Sequence, residues 1–311
     1  MKKLIEVFLP LIISSSLLAE PPAIVIHGGA GWFSNMSSEE IRDLKKGLKM
    51  AADKGFGILE DGGSSVDAVE AAIIILEDNP LFNAGRGSVY TSEEKQEMDA
   101  SIMTGRDNEA GAVSSVTNVK NPITLARYVM EQTPHVMFTS SGAEKLAKDN
   151  NIEQVDQSYF ANPDRLKSLK NTQENKKGTV GVVAIDTNGV ITAGTSTGGM
   201  TNKAPGRVGD SPIIGAGTWV ENNSCGVSAT GHGEYFIRFS VAKEICVKVR
   251  YQNKSIQQAS TEVMNQLKEI GADGGVIVMD SKGNYSFAFN TPAMTRAYKD
   301  ASLEIVKIYK N

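Results

Sequence analysis

Lys167-Ser-Leu-Lys-Asn-Thr-Gln-Glu-Asn-Lys-Lys-Gly178, followed by Thr179-Val-Gly-Val-Val-Ala-Ile-Asp186, is the junction on which the reading of this chain turns. The first half is polar, charged and aperiodic, which marks an exposed linker within the differently textured stretch 155–178. The second half is a strongly apolar run that reads as a strand, and Asn188-Gly189 turns it into another over Val190–Thr195. A threonine hydroxyl is a poor nucleophile until a base takes its proton, and a free α-amine on the same residue can be that base. Such an amine has an ordinary pKa of about 7.7–8.0, so modest tuning leaves much of it neutral. An internal threonine gains one only where the chain is cut before it. Linker, Gly178, Thr179 and strand supply those pieces, although this order is common taken alone.

Upstream, Ala23-Ile-Val-Ile-His27 is strand-like and runs into a glycine turn, Gly28-Gly-Ala-Gly31. Ser37 and Glu40 form a capping box, and the helix it opens carries Ile41, Leu44, Leu48 and Ala51 or Ala52 at helical spacing. Gly62-Gly63 breaks the chain, Ser65 caps a second helix through Ile73–Leu76, and Asn79-Pro80 ends it. Strands are expected over Asp99–Met103 and Ala112–Val116, and helices over Pro122–Gln132 and Gly142–Lys148. Downstream of the junction the pattern gives strands near Ala216–Val220 and Gly226–Thr230, a helix from Glu234 to about Val249, and another over Ser255–Ile270. A final hairpin pairs Gly274–Asp280 with Tyr285–Asn290. Strands and helices come in mixed order, which disfavours alternating βαβ winding.

Composition excludes several classes. Of 311 residues, 41% are hydrophobic and 22% charged, with net charge −4, so neither charge-driven disorder nor a phosphate-held nucleic-acid binder fits. No apolar run beyond the N-terminus is long enough to span a membrane. Cys225 and Cys246 are too few for a disulfide scaffold or a cysteine metal cage, and His27, His135 and His232 lack paired ligand spacing. Met1-Lys-Lys, the apolar stretch Leu4–Leu18 and Ala19-Glu20 describe a secretory leader over 1–19, with a buried N-terminal strand or helix as the alternative because Glu6 and Pro10 interrupt the run. Export to a periplasmic or extracellular space follows from that reading, and leaves Cys225 and Cys246 either bridged or as separate buried thiols.

Glycine-rich segments cluster at 27–31, 83–88, 194–199 and 226–233, interleaved with Thr, Ser, Asp and Arg, and together they suggest a site. One chemical reading is a serine hydrolase. Gly194-Thr-Ser-Thr-Gly198 matches G-x-S-x-G, and Ser196, Asp210 and His232 fall in the order nucleophile, acid, histidine. The context opposes it, because 199–212 holds three glycines, two prolines and no apolar period where a helix should follow.

The fuller set resembles the plant-type L-asparaginase and isoaspartyl peptidase family. Gly178-Thr-Val-Gly181, Thr195-Ser-Thr-Gly-Gly-Met-Thr-Asn202, Gly206-Arg-Val-Gly-Asp-Ser-Pro212 and Thr230-Gly-His-Gly-Glu234 carry the likeness, with His27-Gly-Gly-Ala-Gly31 and Asn83-Ala-Gly85. It runs from about residue 22 to 298. The resemblance implies an α+β, four-layer αββα sandwich of the N-terminal nucleophile hydrolases. It implies self-cleavage between Gly178 and Thr179, giving an α subunit over 20–178 and a β subunit over 179–311 within one folded domain, assembled as (αβ)2. Its substrates would be small molecules, L-asparagine and β-aspartyl dipeptides, with no nucleic acid and no membrane once the leader is gone.

Carried over residue by residue, Thr179 is the nucleophile, Thr197 supports it, Asn83 steadies it, and Thr230 with the Gly231 N–H forms the oxyanion hole. Arg207 clamps the substrate α-carboxylate, Asp210 the α-ammonium, and Gly231 and Gly233 add main-chain contacts. No catalytic cofactor is implied, only a structural sodium on the main-chain carbonyls of Leu76, Glu77, Asn79, Phe82, Ala84 and Arg86. His232 is expected at the pocket rim. Spacing alone favours a solvated turn or an Arg–Asp ion pair for Arg207 and Asp210 over a clamp. Glycosylasparaginase, which shares the threonine nucleophile and Arg-Val-Gly-Asp-Ser-Pro, is the nearest rival, and an amino-acid-binding module without catalysis is a more distant one.

Overall fold

The computed structural model describes residues 21–31, 36–171 and 178–310. The proposed leader, and residues 172–177 of the junction, lie outside these. Two sheets are stacked face to face. The larger has strand order β12-β11-β1-β5-β6-β2-β3-β4 and the smaller β10-β9-β8-β7. The strands are β1 (Ala23–Gly31), β2 (Met98–Thr104), β3 (Ala110–Val116), β4 (Met137–Thr139), β5 (Val180–Ile185) and β6 (Ile191–Thr197). They continue with β7 (Thr218–Val220), β8 (Cys225–Gly231), β9 (Gly274–Asp280), β10 (Tyr285–Phe289), β11 (Ala293–Lys299) and β12 (Glu304–Tyr309). Helices α1 (Ser38–Glu60), α2 (Ser65–Glu77) and α3 (Pro122–Gln132) cover the outer face of the large sheet, while α7 (Val241–Gln252) and α8 (Ile256–Glu269) cover the small one. This is the expected αββα sandwich.

Period-two alternation sorts each strand between the layers. On β5, Val180, Val182 and Ala184 join the helix-side core, while Val183 and Ile185 pack between the sheets. On β1, Ile24 and Ile26 face the helices and Val25 faces the second sheet. These central strands are buried on both faces, which is why they read as continuous apolar runs.

Local signals hold in detail. Ser37 Oγ accepts from Glu40 N at 3.1 Å while Glu40 Oε2 accepts from Ser37 N at 2.8 Å. The second helix is capped by Ser64 rather than Ser65, because Ser64 Oγ is the one that accepts from Asp67 N, at 3.1 Å. Strand β1 does not stop at His27 but continues to Gly31 through a bulge between His27 and Ala30. The charged segment beginning at Lys167 is not all linker: Pro163–Asn171 is helix α5, seated through Leu169. Between it and α3 lies α4 (Ser140–Asp149).

The helix expected over Glu234–Val249 is two, α6 (Gly233–Arg238) and α7, separated at Ser240 in the left-handed region (φ 47°). The break turns the first N–H groups of α7 onto loop carbonyls, Ala242 N to Ala216 O at 3.1 Å and Lys243 N to Gly215 O at 2.9 Å. The hairpin of β9 and β10 is followed by β11 and β12, which close the large sheet against β1. A disulfide joins Cys225 to Cys246 and ties β8 to α7. No helix among the described residues is long and apolar enough to cross a membrane.

A serine held at positive φ stores strain of about 1 kcal/mol that glycine does not incur. Ser240→Gly should therefore raise the urea midpoint of unfolding. A lowered midpoint would show that the serine is not strained there.

Candidate functional site

The site lies on the inner face of the large sheet, where β5 begins and β6 ends. Antiparallel register places Val180 opposite Ser196, which sets residue 179 against residue 197. Thr179 Oγ1 donates to Thr197 Oγ1 at 3.1 Å, and Thr197 Oγ1 donates to the Gly178 carbonyl at 3.2 Å while accepting from Gly199 N at 2.9 Å. Asn83 reaches the same carbonyl, Nδ2 to Gly178 O at 2.6 Å, and also donates to Gly199 O at 2.8 Å. Its own Oδ1 accepts from Val89 N at 3.0 Å, which fixes the orientation of the amide. The carbonyl before Thr179 thus sits between two fixed donors. Gly29, at φ 110°, backs this bond so closely that a Cβ there would stand 2.8 Å from the Gly178 Cα.

Strand β8 of the small sheet faces this row. Its Thr230 is fully buried, with Oγ1 accepting from Ala30 N at 3.4 Å. Gly231 lines a small pocket together with Gly178, Thr179, Thr197, Gly199, Met200, Arg207, Gly209, Asp210 and Ser211. Arg207 and Asp210 do not form an ion pair with each other. Arg207 binds Glu234 instead, Nε donating to Oε1 at 2.9 Å and Nη2 standing 2.8 Å from the same oxygen, and its Nη1 lies toward Gly199 and Gly209. The Nη2 contact is an ion pair without the alignment of a hydrogen bond. Asp210 Oδ2 is buried without a partner. Gly233 packs against both, since a Cβ on it would stand 2.9 Å from Arg207 Nη2 and 3.0 Å from Asp210 Oδ1.

Burial governs the charges. Asp210 is pushed up to about 7 by desolvation, opposed by its own backbone N–H and by the Arg207 cation. His27, fully buried beneath β5, is pulled down to about 3, again by desolvation, against an opposing contribution from the Thr179 main chain. It is therefore a neutral imidazole. His232 caps α6, and its Nδ1 accepts from Asp273 N at 3.3 Å.

Ser196 is not exposed at an elbow. It points to the helix side of β6, where Oγ donates to Glu77 Oε1 at 2.6 Å, and the strand runs on into turns rather than a helix. The serine-hydrolase alternative is removed by this placement. Glu77 is itself pushed up to about 8 by burial, against hydrogen bonds from Ser196, Asn121 and the Ile123 N–H.

Sequence reasoning missed Glu234 as the Arg207 partner, although it ends the Thr230–Glu234 motif. It also missed Asp99 and Lys203. Asp99 sits across the β2–β6 register from Thr197, its Oδ1 accepting from Ser115 N at 2.9 Å, and burial pushes it up. Lys203 Nζ donates to Glu97 O at 2.8 Å, and burial pulls it down. No local pattern announces either residue.

Among the described residues no group of three or more His, Cys, Asp or Glu could hold a metal ion. The carbonyl loop after α2 is a different kind of donor set. It curls tightly, Asn79 N donating to Leu76 O at 3.3 Å and Phe82 N to Asn79 O at 3.2 Å. Gly85, at φ 49°, lies so close that a Cβ would stand 2.4 Å from the Glu77 carbonyl oxygen. Of the six carbonyls named for a cation, those of Leu76, Asn79, Phe82 and Ala84 accept turn hydrogen bonds within the loop.

A family model described as Asparaginase matches residues 20–307. The isoaspartyl peptidase of Escherichia coli strain K12 is 42% identical over 294 residues, covering 88% of this chain and 92% of that protein. The isoaspartyl peptidase/L-asparaginase of Xenopus laevis is 43% identical over 295 residues, covering 91% and 94%. That of Bos taurus is 40% identical over 294 residues, covering 91% and 94%.

The raised pKa of Asp210 gives a signed test. Its folded value, about 7, lies above the unfolded carboxylate value. The folded state then holds the proton longer, and stability falls as pH rises between the two. Asp210→Asn should thus stabilise the protein more at pH 8 than at pH 4, read by thermal melting. An equal effect at both pH values would refute a buried, ionising Asp210.

Proposed function

This chain belongs to the plant-type L-asparaginase and isoaspartyl peptidase family, and we propose that it cuts itself before Thr179 and then hydrolyses L-asparagine and β-aspartyl dipeptides with that threonine. The observation that carries the reading is the Thr179–Thr197 hydroxyl pair set at the Gly178 carbonyl, on the wall of a pocket that also holds Arg207 and Asp210.

In self-cleavage the Thr179 hydroxyl oxygen attacks the Gly178 carbonyl carbon, the amide nitrogen leaves as the α-amine of Thr179, and an ester to Oγ1 remains. Negative charge developing on the Gly178 oxygen meets Asn83 Nδ2 and Thr197 Oγ1, donors already in place. Water opens the ester. The freed amine is then the base for the second reaction.

A bound asparagine presents its side-chain carbonyl to Thr179, whose proton passes to the amine as Oγ1 attacks. Thr230 Oγ1 and the Gly231 N–H face the oxyanion that forms. Collapse expels ammonia, or the amino acid of a β-aspartyl dipeptide, with the proton returned from the amine. A water hydrolyses the aspartyl ester and restores the enzyme. Arg207 takes the α-carboxylate through the terminal nitrogen that Glu234 does not engage, and ionised Asp210 takes the α-ammonium. The empty pocket leaves Asp210 Oδ2 unpaired, which suits a cationic ligand.

Glycosylasparaginase chemistry is not preferred, because the relatives bear the isoaspartyl peptidase and L-asparaginase names over nearly their whole length. The chain acts as an (αβ)2 assembly with a structural sodium on the carbonyl loop of Leu76, Glu77, Asn79, Phe82, Ala84 and Arg86. It is exported after loss of residues 1–19, a reading that the Cys225–Cys246 disulfide supports, since such bonds persist in oxidising compartments.

Thr179→Ala should remain one uncut, inactive chain, while Thr179→Ser should cut slowly and act weakly. Ser196→Ala should still be cut into two chains. Denaturing gels and ammonia release from asparagine read both steps, and full activity in uncut Thr179→Ala would end this reading. Blocking the substrate amine removes the cation that would pair Asp210 and leaves its buried oxygen without a partner, a loss of about 1–3 kcal/mol. N-acetyl-asparagine should therefore be turned over far more slowly than asparagine, and Arg207→Ala should impair substrate use more than self-cleavage. N-terminal sequencing of secreted protein should start near Glu20; cytosolic protein retaining Met1 would refute export.

A further inference from the structure

Below the row of Thr179, Thr197 and Thr230, the space between the sheets holds a second row of polar side chains that the reaction does not use. Two residues further along β5, β6 and β8, about 7 Å by strand geometry, the same faces carry Gly181, Thr195 and Ser228. His27 Nε2 stands 3.1 Å from Ser228 Oγ, which is 2.7 Å from Thr195 Oγ1, which is 2.6 Å from Thr218 Oγ1. Ser101 Oγ on β2 continues the row, 2.8 Å from Thr218 Oγ1 and 2.6 Å from the Ser211 carbonyl. Every side chain in it is fully buried.

Three features set this row apart from incidental polar packing. It joins the two sheets, with His27, Ser101 and Thr195 on one and Ser228 and Thr218 on the other. It ends at Ser211, which lines the pocket next to Asp210. Its path also dictates a neighbour, since a Cβ on Gly181 would stand 1.9 Å from Ser228 Oγ and 2.3 Å from His27 Nε2. Each hydroxyl carries one proton and the Ser211 carbonyl can only accept. Ser101 Oγ, the donor to both the Ser211 carbonyl and Thr218 Oγ1, shares its single proton between them, and Thr195 Oγ1 likewise reaches the Gly217 carbonyl at 3.2 Å, so the hydroxyls are coupled and the row acts as one unit.

We propose that this buried row is the positioning floor of the site, with Thr195 as its hub. It fixes the distance between Thr179 and Thr197 on the large sheet and Thr230 on the small one. Through Ser101 it holds the Asp210–Ser211 end of the substrate clamp at its height. Thr195 and Ser101 are positioning residues and touch no substrate.

The proposal rests on the reaction assigned above, so ammonia release from asparagine by the parent protein is measured first; its absence would overturn both. In an active parent, Thr195→Val removes the hub hydroxyl at nearly constant volume, and Thr195→Ser restores it. Small misplacements of reacting groups are costly, so kcat should fall about tenfold or more in the valine variant and recover in the serine variant. Ser101→Ala loosens only the clamp end. It should raise KM several-fold while self-cleavage and kcat stay near the parent's. A purely structural row would lower the melting temperature in these variants and leave kcat and KM per folded site unchanged. That result in folded Thr195→Val would overturn the proposal and leave the assigned reaction standing. Should Thr195→Val fail to fold, Ser101→Ala decides, and a parent-like KM there overturns it equally.

Discussion

The antiparallel pairing of β5 with β6, in the register that sets Val180 against Ser196, is the constraint from which the site follows. Side chains alternate along each strand, so this register sends Thr179, Thr195 and Thr197 into the space between the sheets and Ser196 toward the helices. A slip by one residue would exchange the two sets and put a lone serine where the threonine pair now stands. The register is locked from outside the pair. Ser196 is tied to Glu77 at the end of α2, and β2 runs against the far side of β6 with Asp99 opposite Thr197.

Charge is handled by layering. On the helix side, buried Glu77 is satisfied by donors from β6 and the start of α3, and buried Asp186 by the Ser65 N–H at the start of α2. Around the pocket, Asp99, Lys203, Arg207 and Asp210 lie close enough to influence one another, yet Arg207 takes its ion pair from Glu234 at the more exposed rim. Asp210 therefore keeps an oxygen that nothing in the protein satisfies. An unpaired buried acceptor is destabilising by itself, which is a common feature of sites that bind charge.

Much of this architecture is legible locally. The capping box of Ser37 and Glu40, the Asn188-Gly189 turn and the apolar run after Thr179 each act over a few residues and fold as they read. Strand β11 is not legible because its pattern is broken by Arg296, a cation buried only because the carbonyls of Met294, Ile308 and Tyr309 surround it. The motif residues of the site could be collected because glycine clusters and a family likeness gather them. The Arg207–Glu234 pair, the Asp99 carboxylate and the hydroxyl row between the sheets could not, because their partners meet only across the sandwich. The short helix α5 shows the opposite error, charge and polarity mistaken for lack of structure: buried Leu169, the Asn162 side chain at its start and the Arg165 bond to the Leu81 carbonyl seat it.

The strand order of the large sheet has a mechanical consequence for a chain opened between Gly178 and Thr179. Strands β12 and β11 come from the downstream piece, β1 from the upstream one, β5 and β6 again from downstream, and β2, β3 and β4 from upstream. The two pieces are interleaved like the fingers of clasped hands, sharing the boundaries β11–β1, β1–β5 and β6–β2. The disulfide adds nothing to this, since both of its cysteines belong to the downstream piece. Separating the pieces would mean tearing the central sheet at every one of those boundaries at once. Severing the covalent thread at such a place leaves the clasp intact in the folded state but removes the single-chain route back to it once it has been lost.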